Sequence, residues 1–140
     1  MDHIAAPSVA FIFDCDGTLV NSTPVWAYAQ PELLHRHGID VTVDDFAQFE
    51  HLSIEDECQA YHDIWGIGTN GEELYRELSD ILIDGYSKVP PREGLLLFLK
   101  QAHEAGIAMS VATSTPAELV TSALAGAGLD AYMEFITTTG

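Results

Sequence analysis

At 140 residues with 47% hydrophobic content, the chain is long enough for one ordinary core with a small insertion, which excludes wholesale disorder. Lys and Arg number 5 against 22 Asp and Glu, for a formal charge of −17. That balance repels a nucleic-acid backbone or an anionic bilayer, so neither nucleic acid nor membrane is expected as a partner, and an anionic substrate would need a metal's help.

The start, MDHIAAPSVAFIFDCDG, has an early acid, no basic segment and no long apolar stretch, so no secretion signal is expected. Nothing reaches membrane-spanning length, and Cys15 and Cys58 are too few for a disulfide scaffold and lack metal-ligand spacing. A reducing, cytoplasmic location is the expectation. The NST at Asn21 matches a glycosylation acceptor only formally.

The run VAFIF, 9–13, is continuously apolar and ends abruptly in acids, as expected of a strand buried on both faces of a parallel sheet. From Pro24 to Ser87 the pattern gives four helical stretches, 24–37, 43–50, 54–65 and 71–87, with Thr42 opening the second ahead of two acids. The block has no strand pattern, which predicts a small helical bundle inserted into a sheet domain, bounded by LVNSTP and SKVPPREG. EGLLLFLKQAHEAG then sets Leu95, Leu96, Leu99 and Ala102 on one helical face and closes with Gly106 as a C-cap. A second strand follows in IAMSVA, 107–112. STPAELVTSALAGAG predicts a helix with Thr115 as N-cap, Pro116 at its first position and Glu118 completing a capping box. A weaker strand, EFITTT, lies at 134–139. Strand, helix, strand, helix, strand argues for right-handed parallel crossovers and an α/β fold.

Asp14 and Asp16 sit where the first strand ends. Alternation lets both face one side while Cys15 points away, and Gly17 lets the chain turn and a ligand approach the backbone. Ligands gather at the carboxyl ends of parallel strands. Two acids there suit a hard cation, or a division of labour between nucleophile and proton carrier.

DCDGT after a buried strand, a helical insertion directly behind it, and VATST at the end of the second strand resemble the haloacid dehalogenase-like phosphohydrolases. The layout is similar to the subfamily of phosphoglycolate phosphatases and β-phosphoglucomutases. The resemblance implies an incomplete Rossmann-like parallel core, 1–19 and 88–140, with a helical cap at 20–87. It implies Mg²⁺-dependent hydrolysis of a small phosphorylated metabolite, with phosphomutase activity or a non-catalytic assembly module as alternatives. Asp14 would attack phosphorus to give an aspartyl-phosphate, and Asp16 would protonate the leaving oxygen and then deprotonate the hydrolytic water. Mg²⁺ would be held by Asp14 and the Asp16 carbonyl. Thr113, the N–H of Ser114 at the start of the next helix, and Gly17 would contact phosphate.

The resemblance also implies a lysine and a late acidic pair after the third strand, which this sequence does not contain; Lys88 and Lys100 lie elsewhere. Little turnover by this chain alone and a poorly fixed ion are therefore expected. In the family's strand order the first strand would become an open edge, inviting a second copy or a complementing chain. For specificity, the resemblance points to Thr23, Trp26 and Ser53, although Trp26 also reads as cap core and Ser53 as a helix N-cap. Glu50 and Ile54 take the places of basic residues that would hold a second phosphate, which weakens the mutase reading. His35, His37, His51 and His62 read as solvated helix surface.

Overall fold

The computed structural model describes residues 9–138, so the leading residues read above for a signal, and Thr139 of the expected third strand, lie outside the described part. The chain divides into two compact units, one of residues up to Thr23 and from Tyr86 onward, the other Pro24–Gly85.

In the first unit, β1 (Ala10–Phe13), β2 (Ala108–Thr113) and β3 (Phe135–Thr138) form one parallel sheet in the order β1-β2-β3. Phe13 pairs with Val111 and Val111 with Ile136, so all three strands run to the same sheet end. The crossovers carry α5 (Leu95–Glu104) and α6 (Ala117–Ala127). Both steps move the same way across the sheet, and right-handed crossovers then lie over one face. Phe98 of α5 stacks on Phe11 with ring centroids 5.8 Å apart.

That one-sided cover changes the expected burial of β1. Met109, Val111 and Thr113 are buried, and by register they share a face with the half-buried Phe11 and Phe13. Ile12, on the opposite face, is 71% exposed, and Val9 is 56% exposed. Among the described residues β1 has one strand neighbour and one covered face, so it is not buried on both sides, however apolar its sequence. The outer strand β3 is more open still, with Phe135 70% and Ile136 40% exposed. On α5, Leu99 and Ala102 are buried but Leu96 faces outward, so the predicted apolar stripe is narrower than its leucines suggest.

Helix ends follow local chemistry. After α5, Gly106 takes φ 78°, its N–H donates to the His103 carbonyl and the Ile107 N–H donates to the Ala102 carbonyl. These paired bonds satisfy carbonyls the helix would otherwise leave free, with Ala105 as C-cap and the glycine one place beyond it.

The second unit is helical: α1 (Thr23–Arg36), whose first residue still belongs to the sheet unit, α2 (Val43–Phe46), α3 (Ile54–Trp65) and α4 (Gly71–Lys88), whose last turn also belongs to the sheet unit. α2 is shorter than expected because the chain tightens into a 3₁₀ turn at Ala47–Phe49. Thr42 caps α2, with its N–H donating to Asp45 at 2.6 Å. Phe49, Tyr61 and Trp65 form an aromatic cluster, and Leu33, Leu34, Leu74 and Leu78 are fully buried. No helix among the described residues is long and apolar enough to cross a membrane.

Candidate active site

The site begins where β1 stops. Cys15 continues the buried face of Phe11 and Phe13, while Asp14 is exposed and Asp16 half-buried. One Asp14 oxygen accepts the Cys15 N–H at 2.7 Å. Burial, with Asp16 and then Asp14 beside it, pushes the Cys15 thiol up to about 12, so it stays protonated and takes no part as a nucleophile at neutral pH.

Beyond Asp16 the chain folds back on itself. The Cys15 carbonyl accepts the Leu19 N–H at 2.9 Å, and the Gly17 N–H donates to the Val20 carbonyl at 2.8 Å. Gly17 holds φ 79°, a left-handed conformation that a side chain would strain. Arg92 pins the loop from outside: its N–H donates to the Leu19 carbonyl and its guanidinium to the Gly17 carbonyl, both at 3.1 Å. Leu19 and Val20 are buried beneath.

Asp16 is the most heavily bonded acid of the site. Its Oδ1 accepts from the Ser22 hydroxyl and from Tyr86 Oη, the latter at 2.8 Å, and its Oδ2 accepts from the Thr115 hydroxyl. Thr115 is therefore not the N-cap of α6 that its sequence context suggested. Pro116 holds that position with ψ 141°, and the Thr115 hydroxyl goes to the acid instead. The expected capping box with Glu118 is correspondingly absent. Thr113 is buried, and its Oγ1 accepts the Thr115 N–H at 3.1 Å, which fixes the loop after β2. Ser114 is exposed, but α6 starts at Ala117, so its N–H lies ahead of the helix rather than in its first turn.

Asp14, Asp16, Gly17, Thr113 and Ser114 thus share one sheet end, since β1 and β2 are parallel and in register. Thr23 is exposed at the end of this unit. Trp26 and Ser53 belong to the helical unit: Trp26 is half-buried in α1, and Ser53 caps α3 by accepting the Asp56 N–H at 3.2 Å. The partners of Asp16 went unread in the sequence. Ser22 sits in the NST that matched a glycosylation acceptor, Thr115 carried a cap signal, and Tyr86 lies 70 positions away with no signal at all.

Metal fit can be judged from the oxygen donors. Asp14 is exposed and accepts the Cys15 N–H, and the Asp16 main-chain carbonyl lies at the same strand end. Both Asp16 side-chain oxygens are already bonded. One carboxylate and one carbonyl suit a hard cation that keeps waters and takes phosphate oxygens. No group of three or more His, Cys, Asp or Glu residues among the described ones stands ready to hold a metal.

A sequence model of the haloacid dehalogenase-like hydrolases matches residues 11–140. The chain belongs to that family. Among solved structures, it is similar to a provisionally assigned β-phosphoglucomutase from Thermotoga maritima, with 20% identity, TM-score 0.79, and 93% of this chain aligned to 61% of that one. It is also similar to YfnB of Bacillus subtilis, a provisionally assigned hydrolase of the family bound to magnesium, with 17% identity, TM-score 0.72, and coverage of 94% and 65%. A third similar structure is CbbY from Rhodobacter sphaeroides, a mutant in complex with xylulose-(1,5)bisphosphate, with 16% identity, TM-score 0.68, and coverage of 91% and 61%. The family member therefore spans 61–65% of the length of these structures and shares their fold. No curated protein sequence matches it.

Proposed function

We propose that this family member carries the acid pair of an enzyme that hydrolyses a small phosphomonoester. The observation that supports this most strongly is the contrast between the two aspartates: Asp14 is exposed with one hydrogen bond, whereas Asp16 is half-buried and held by three hydroxyls. A nucleophile must be reachable; a proton carrier must be aimed.

In this reading an Asp14 oxygen forms a bond to phosphorus while the ester P–O bond breaks, and Asp16 gives its proton to the departing oxygen. Asp16 then takes a proton from water, whose oxygen attacks the aspartyl-phosphate and frees Asp14 and phosphate. Splitting one hard displacement into two is the benefit of a covalent intermediate. Mg²⁺, held by Asp14 and the Asp16 carbonyl, would offset the repulsion between the phosphate dianion and the two acids. The Ser114 backbone N–H and the close approach that Gly17 allows lie at the same sheet end, while Thr113 fixes the loop after β2.

The test is acid-quenched incubation of the chain with Mg²⁺ and a panel of small phosphomonoesters, followed by mass analysis of the peptide spanning Asp14. Phosphate release together with phosphorylation at Asp14, both lost in Asp14→Asn, supports the reading. Hydrolysis that persists in Asp14→Asn at near wild-type rate would assign the nucleophile elsewhere.

A further inference from the structure

Tyr86 stands in the last turn of α4, on the sheet-unit side of the division, and its side chain is 0% exposed. Its hydroxyl donates to Asp16 Oδ1 at 2.8 Å. A buried phenol needs a partner for its O–H, and here the partner is the carboxylate cast above as proton carrier. The ring alone would fill the same space as phenylalanine; only the hydroxyl addresses the acid.

Ser22 and Thr115 hold the same carboxylate from the segments that directly continue the β1 and β2 ends. Tyr86 reaches it from a third segment, on a side chain with only two rotatable bonds and little freedom to lose. An acid that must give up a proton and later regain one has to keep its orientation through both charge states. An ammonium in this place would favour the ionised form. A phenol can donate to an oxygen of either form, so this hydrogen bond can orient the group in both of its charge states.

We propose that Tyr86 is a positioning residue for Asp16, its hydroxyl fixing the carboxyl rotamer for proton transfer. This rests on the reading of Asp16 as proton carrier. The test is Tyr86→Phe in the full chain, labelled with carboxyl-¹³C aspartate, the Asp16 resonance being identified by its loss in Asp16→Asn. At fixed neutral pH the Asp16 resonance moves in Tyr86→Phe, while that of Asp14 and the methyl signals of Leu99 and Leu124 stay in place. An unmoved Asp16 resonance, or movement shared with Leu99 and Leu124, overturns the proposal.

A kinetic measurement adds a second readout. With an alkyl phosphate, whose leaving oxygen needs a proton, Tyr86→Phe lowers kcat/KM by about tenfold. With nitrophenyl phosphate, whose leaving group departs without one, the change stays within about twofold. Equal losses on both esters, or none on either, also overturn it. If wild-type chain hydrolyses neither ester, the phosphatase reading fails for this chain, and the carboxyl resonances alone decide whether Tyr86 positions Asp16.

Discussion

Gly126 leaves the space that the Ser87 backbone occupies: a Cβ at Gly126 would collide with the Ser87 carbonyl oxygen. Helix propensity by itself favours Gly126→Ala by about 1 kcal/mol, since Gly126 lies inside α6. The contact with fixed backbone opposes it, and overpacking of this kind costs about 1–3 kcal/mol. We predict that Gly126→Ala lowers the urea midpoint followed by circular dichroism. A raised midpoint would mean that the segment carrying Tyr86 and Ser87 moves aside freely.

Glu57 gives the helical unit a pH dependence of known sign. It is buried in α3, where its Oε2 accepts from the Tyr61 hydroxyl and from Gln30 Nε2, the latter at 2.6 Å. Burial pushes its carboxyl above the usual range, and the two donors pull back only in part. The folded chain therefore holds this proton more tightly than the unfolded chain. The stability it contributes is full below the ordinary carboxylate pKa and is lost as pH rises through the folded value. Glu57→Gln keeps an acceptor and removes the charge, so urea midpoints measured from about pH 5 to 8 should vary less than in wild type. Glu57→Ala, which strands both donors, should cost about 1–3 kcal/mol. A Gln variant with the same pH slope as wild type would remove Glu57 from the account.

Both thiols should be inert in the native protein. Cys15 and Cys58 are fully buried and free, and burial together with neighbouring acids pushes each up to about 12. At about pH 8, iodoacetamide should label neither in buffer and both in urea, as read by intact mass. Rapid native labelling of Cys15 would contradict the packing of the site loop.

The β1 edge is the remaining liability. Among the described residues it has one strand neighbour, and Ile12 and Val9 lie exposed beside it. We propose that it pairs with the same edge of a second copy. With a formal charge of −17 per chain, the copies repel, so sedimentation equilibrium should show association that strengthens as salt is raised. Ile12→Lys should abolish it. A wild-type chain monomeric at every salt concentration rules the pairing out.

The local chemistry of this protein was legible in its residues. Apolar runs ending at Asp14 and Thr113, the helical stretches 54–65 and 71–87, and the glycine after α5 each report forces acting over a few neighbours, and those elements formed close to the bounds read, with Gly106 one place beyond the C-cap. The acid pair was equally plain, because strand alternation and a glycine at φ 79° are properties of a short segment. Burial was not legible: β1 reads as a two-sided strand because hydropathy registers what a residue prefers, while exposure depends on which elements arrive to cover it. Nor was the difference in surroundings of the two aspartates, to which the resemblance gave separate roles. Ser22, Tyr86 and Thr115 meet on Asp16 only once β1, the end of α4 and the loop after β2 are folded together. A hydroxyl carries no mark of the carboxylate it will find, since a hydrogen bond depends on position in space and the chain fixes that only by closing its tertiary structure.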